Sequence, residues 1–206
     1  MTSRRCHGFT LLETLIAIAF VLVITGIGFI TLMPALNKSH VDSAYDTTLM
    51  VLRNTRHLAI TQNHEYLVTF NPAGFAAGTI EVDYQPPAVA GILPPIQLVQ
   101  TYTIPGDVSF AVQAGFPAAT PDSFGSGINA IDFGQGLGAG TLNYVTFVPD
   151  GSARDTLGNY NSGIVYLTRP TDKMYSSRSV TVWGATGRIR GWRLAQQAGG
   201  AVWVQQ

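Results

Sequence analysis

The hydrophobic pattern of the chain changes period twice. From Phe9 to Leu36 apolar residues run almost unbroken, and Thr14 to Asn37 contain no Asp, Glu, Lys or Arg. Built as helix, residues 9–36 would extend about 42 Å at 1.5 Å per residue. That exceeds the ~20 residues a bilayer core requires. From Asn37 to Gln62 the pattern turns amphipathic. Val41, Tyr45, Thr48, Leu49, Leu52, Arg56 and Ala59 recur at helical spacing, while Asp42, Asp46, Arg53 and Asn54 point elsewhere. One helix of roughly 50 residues is predicted, its first half transmembrane and its second half packed on a sheet.

After Asn63 the period becomes two. Glu65–Phe70, Thr79–Tyr84, Leu98–Ile104, Tyr144–Val148, Gly163–Thr168 and Ser179–Trp183 read as strands. Asn71-Pro72-Ala73-Gly74 and Pro149-Asp150-Gly151-Ser152 supply turn chemistry. No helix-length segment separates the strands, so the sheet is expected to be antiparallel. The glycine-rich stretch Gly115–Gly140 reads as a long surface loop with one short strand at Ala130–Phe133. The fold class is therefore α+β: a long N-terminal transmembrane helix packed on an antiparallel, β-sandwich-like domain over 64–206. Pro34 removes one helical hydrogen bond and disfavours helix at Met33, with Gly26 and Gly28 weakening the same stretch. A kink or local opening is expected there.

Composition fits an exported domain better than a cytosolic enzyme: 46% of residues are hydrophobic and only 12% charged. Arg4 and Arg5 hold the N-terminus in the cytoplasm and place the rest of the chain outside. The apolar run is too long for a secretory signal and no small-residue cleavage site follows it. Cys6 is the only cysteine, so no intramolecular disulfide can form. Residues 2–5 lack the pattern of a lipoprotein site.

Charge is segregated although the net is zero. His57 to Ala153 carry Glu65, Glu81, Asp83, Asp107, Asp122, Asp132 and Asp150 with no Lys or Arg; from Arg154 onward basic residues dominate. Two readings stay open: ordinary surface charge, or a patch for a polyanion or an acidic neighbour. Catalytic signatures are lacking. Gly125-Ser126-Gly127 is not a nucleophile elbow, Gly134–Gly140 is not a phosphate loop, and Asp150–Asp155 is not a calcium loop. No enzyme activity, cofactor or metal is expected. His40, His57 and His64 read as surface residues.

Glu13 is the anomaly, because a carboxylate in an apolar segment costs several kcal/mol unless paired or interfacial. Gly8-Phe9-Thr10-Leu11-Leu12-Glu13, behind a basic leader, resembles the processing motif of type IV pilins and pseudopilins. The resemblance implies that residues 1–8 are a leader peptide. A prepilin peptidase would cut between Gly8 and Phe9, and the new Phe9 amine would be N-methylated. Glu13 would pair with the Phe9 amine of a neighbouring subunit, which makes both groups tolerable in lipid. Losing Arg4 and Arg5 would leave a cysteine-free chain of net charge 10 − 12 = −2.

Three further stretches sharpen the resemblance: Arg53–Ile60, Val145–Ser152, and Arg178–Val182 followed by Gly187-Arg188-Ile189-Arg190. Together they resemble the minor pseudopilin GspH of type II secretion and the FimT/FimU minor pilins. This implies a bacterial inner-membrane subunit with residues 9–63 as its helix (9–36 membrane, 37–63 amphipathic) and a periplasmic β domain. Its partners would be other pilins or pseudopilins and the prepilin peptidase. The alternative is a DNA-binding minor pilin, because a G-R-x-R motif is associated with DNA uptake in some FimT-type proteins. Lys173, Arg178, Arg188, Arg190 and Arg193, with Trp192, would then form the contact. The competing reading is that these arginines solvate an edge strand or meet acidic neighbours.

Overall fold

The computed structural model describes residues 10–71, 78–89, 92, 94–135, 142–171 and 174–206, with backbone alone for 29–38 and 135. The leader, Gly8, Phe9, Lys173 and residues 72–74 of the first expected turn lie outside the described residues. The chain divides into two compact units, Met1–Ser39 and His40–Gln206.

Helix α1 spans Leu11–Gln62. Its Leu11–Gly28 stretch has a mean hydropathy of 2.3 and no buried residue, so one helix is long and apolar enough to cross a membrane. Helical backbone continues through Met33 and Pro34. The local opening expected there is absent: a proline deletes one hydrogen bond, and Leu32, Met33, Ala35 and Leu36 around it are good helix formers.

In the second unit, α1 buries Val41, Tyr45, Thr48, Leu49, Leu52 and Ala59 of the face read from the period, together with Ala44, Val51 and Thr55, which that reading left out, while Arg56 is half-buried. Its C-terminus is closed by Asn63 at φ 55° and by the His64 amide donating to the Ala59 carbonyl at 3.2 Å. This is the six-to-one bond of a Schellman cap, in which Asn tolerates the left-handed residue.

Among the described residues ten strands follow: β1 (Glu65–Asn71), β2 (Thr79–Gln85), β3 (Gln97–Thr103), β4 (Ile131–Gln135), β5 (Tyr144–Phe147), β6 (Ala153–Arg154), β7 (Ser162–Leu167), β8 (Arg178–Trp183), β9 (Arg188–Gln197) and β10 (Gly200–Gln205). They form two five-stranded sheets ordered β3-β2-β1-β5-β6 and β10-β9-β8-β7-β4. Every pairing among these strands is antiparallel. The mixed α+β class stands.

One core joins α1 to both sheets. Tyr66, Val68, Phe70, Ile80 and Val82 of the first sheet meet Phe133, Val165, Leu167, Val180 and Val182 of the second, with Leu52 among them. The second sheet is covered on its other face too: Ile164, Tyr166, Leu194 and Trp203 pack with Val112, Phe116 and Phe124. This revises the expected surface loop. Within Gly115–Gly140, Phe116 and Phe124 roof the second sheet, and just before that stretch Val108 and Phe110 enter the main core. Apolar residues without a period carried the burial, which is why pattern alone read the stretch as surface.

Candidate functional site

At the membrane-helix end, the Glu13 amide donates to Thr10 Oγ1 at 3.2 Å. Thr10 therefore acts as N-cap and Glu13 falls in the first turn of α1. An acid there is favoured by the exposed amides and the helix dipole. The position thus has a local rationale beside its expected role in assembly. The Glu13 side chain lies on an exposed residue, and no described side chain is recorded as its ion-pair partner.

Among the described residues, the expected basic cluster is divided between two faces of β9 and the buried Arg178. Strand alternation puts Arg188, Arg190 and Trp192 on one face of β9 and Arg193 on the other. Arg190 Nη1 donates to Asp122 Oδ1 at 2.5 Å. Asp122 Oδ2 accepts from Thr181 Oγ1 at 2.6 Å, and Thr181 in turn accepts from Trp192 Nε1 at 3.0 Å. The Arg190 guanidinium also lies 5.6 Å from the centre of the Trp183 ring. Arg178 is almost fully buried; its Nη2 donates to Asp42 Oδ1 at 2.6 Å and its Nη1 to the Ser176 and Ser177 carbonyls at 2.9 and 3.2 Å. Two of the expected DNA-contacting arginines are thus committed to internal anions and carbonyls. Arg188 and Arg193 remain exposed.

Instead, the three stretches that carried the family resemblance converge. Arg56 on α1 donates from Nε to the Gly151 carbonyl at 2.9 Å and from Nη2 to the Thr186 carbonyl at 3.1 Å, across sequence separations of 95 and 130 residues. Gly187 holds φ 59°, and a Cβ there would lie 2.0 Å from the Gly151 carbonyl oxygen. Gly151 stands at φ 80° in the turn closed by its amide donating to the Val148 carbonyl at 2.9 Å and by the Ser152 amide on Asp150 Oδ1 at 2.7 Å. The helix and two turns of different sheets are therefore pinned at one joint by an arginine fork, and two glycines are needed for the close approach. Arg53 and Arg188 border a shallow recess beside it.

Comparison with protein-family models, with curated proteins and with solved structures gave no match in any of the three. The functional reading rests on the residues themselves.

A second charged cluster was invisible in the sequence. His40 Nδ1 lies 2.8 Å from Asp107 Oδ2, and Arg169 Nε donates to the same oxygen at 2.8 Å. It ties α1 to the segments after β3 and β7. Burial pushes the Asp107 carboxyl up, but hydrogen bonds from His40, from its own backbone and from Arg169, with the charge of His40, hold it below the ordinary carboxylate range. The residues involved are far apart in sequence and carry no shared motif, so no signal in the chain announced them. Among the described residues no group of three or more His, Cys, Asp or Glu is placed to hold a metal ion.

Proposed function

We propose that the chain is a minor structural subunit of a type II secretion pseudopilus or a type IV pilus, inserted in the bacterial inner membrane with its β domain in the periplasm. The observation that carries this reading is Gly8-Phe9-Thr10-Leu11-Leu12-Glu13 opening an apolar helix whose amphipathic continuation builds the core of a two-sheet head. Prepilin peptidase cuts after Gly8, Phe9 is methylated, and Glu13 meets the Phe9 amine of a neighbour as the subunit leaves the bilayer. Two groups costly in lipid neutralise one another only after cleavage has created the second.

The convergence of Arg56, Gly151 and Gly187 supports the reading in a different way. The motifs shared with GspH and FimT-type subunits have a common structural task in this chain, holding helix to head. DNA uptake is the weaker reading here, because Arg178 and Arg190 already have acidic partners.

Mass spectrometry of the protein from cells with and without prepilin peptidase tests the proposal. N-methylated Phe9 is expected at the N-terminus in the first case and residues 1–8 retained in the second. Retention of the leader in both would overturn it.

A further inference from the structure

Among the described residues, two of the four sheet edges are guarded and two have no further strand beside them. β6 is only two residues long, and β4 is bridged by Leu142 opposite Phe133. β3, Gln-Leu-Val-Gln-Thr-Tyr-Thr, and β10, Gly-Ala-Val-Trp-Val-Gln, each have a strand partner on one side only. Neither contains a charged residue or a proline, the usual devices that stop an edge from pairing. β3 is exposed along almost its whole length, with Leu98 and Val99 at 64% and 51% exposure. A register shift at Val82/Asp83 bends its beginning, but Gln100–Thr103 pair regularly with β2. β10 leaves Val202, opposite Ala195 of β9, 40% exposed, and its Val204 stands opposite Arg193.

We propose that these two edges meet between copies of this chain, with β10 of one copy adding to β3 of the next. Main-chain hydrogen bonds across the new pair give affinity, as in any strand addition. Charge selects the pairing. The first sheet carries Glu65, Glu81 and Asp83 against Arg154 alone, while the β9–β10 hairpin carries Arg188 and Arg193 and no acid, its Arg190 being neutralised by Asp122. Pairing β3 with β3 sets one acidic sheet beside another, and pairing β10 with β10 does the same for arginines. Only the unlike pair is attractive, through the field of the two sheets rather than a single ion pair. Asp83 agrees: burial, and then the neighbouring Glu81, push its carboxyl up.

A contact between two different surfaces of one chain does not close on itself when the rotation is not that of a ring; it propagates. This goes beyond the filament reading and is independent of processing at Gly8, since heads can pair before or without cleavage.

The test uses the full-length chain in detergent micelles with Cys6→Ser. Thr101→Cys on β3 and Val202→Cys on β10 are made separately; both positions are exposed. On mild oxidation, the mixture of the two proteins should give a disulfide-linked dimer, and neither protein alone should. The chain carrying both cysteines should give a ladder of oligomers. Arg193→Glu should lower the mixed-dimer yield severalfold, as should raised salt. Dimers from either single-cysteine protein alone would overturn the proposal, as would no dimer in the mixture. A Leu157→Cys protein crosslinking to Val202→Cys as well as Thr101→Cys does would overturn it too, because Leu157 is exposed at 84% and lies outside β3.

Discussion

Asp122, held in the left-handed region at φ 54°, accepts a 2.5 Å hydrogen bond from Arg190 Nη1 with its side chain only 5% exposed. The second arginine of the G-R-x-R motif therefore neutralises a buried acid that the roof of the second sheet delivers. Asp122→Asn keeps the left-handed preference and removes only the charge. It is expected to cost roughly 1–3 kcal/mol, because a charged hydrogen bond is lost and the Arg190 guanidinium is left without its anion. At about 2–4 °C per kcal/mol for a domain of this size, a thermal melt followed by circular dichroism reads the change directly. An unchanged melting temperature would mean the pair contributes nothing.

Gly187 is required by space, not by recognition. Its φ of 59° and the Gly151 carbonyl oxygen 2.0 Å from a prospective Cβ both exclude a side chain. Gly187→Ala should cost roughly 1–2 kcal/mol for the left-handed backbone, with about 1–3 kcal/mol more for overpacking against the Arg56 joint. Gly199→Ala is the matched control: nothing lies within 4 Å of a Cβ there. Comparable melting temperatures for the two variants would refute the close-approach argument.

These residues also show what the sequence could reveal. The apolar stripe Val41–Ala59 and the alternation in Glu65–Phe70 were legible because each element buries one face, and burial follows the period. β10 escaped notice, although Gly199-Gly200 between two alternating runs is a hairpin signal, and Gly200 does adopt φ 123°. Asp122 could not be found this way. Its partners Thr181 and Arg190 lie 59 and 68 residues away, and nothing local to Pro121-Asp122-Ser123 marks it as their anion. The arginine motif was visible, but the sites of its charge partners were set by tertiary packing.

Asp107 makes stability depend on pH with a definite sign. Its carboxyl is lowered from the ordinary value, so it contributes stability above the unfolded pKa of about 3.9 and loses it as pH falls through the native value. Asp107→Asn should reduce stability by on the order of 1 kcal/mol at neutral pH. The gap between the two proteins should narrow as pH is lowered through about 4 and below, where the unfolded carboxylate and then the native one take up a proton. Melting temperatures measured across that range check the sign. A gap that widens on acidification would contradict the linkage.

Arg178 binds helix to sheet through three acceptors at once: Asp42 Oδ1 on α1 and the carbonyls of Ser176 and Ser177. A lysine ammonium is a single point on a flexible stem and cannot reproduce that fork. Arg178→Lys should therefore cost roughly 1–3 kcal/mol in spite of keeping the charge, close to the cost of Arg178→Met. Asp42→Asn should be the milder change, since the Asp42 side chain is 40% exposed and water can replace part of what it offers. Asp42→Asn should keep the highest melting temperature of the three variants, with the two Arg178 variants close together below it, and a lysine variant as stable as the parent would refute the fork. The same geometry bears on any nucleic-acid assay. Loss of binding in an Arg178 variant would report a loosened head, whereas Arg188, exposed beside Arg53, can be changed without disturbing a described ion pair. An effect on DNA binding confined to Arg188 would thus be evidence for recognition, and an effect confined to Arg178 would not.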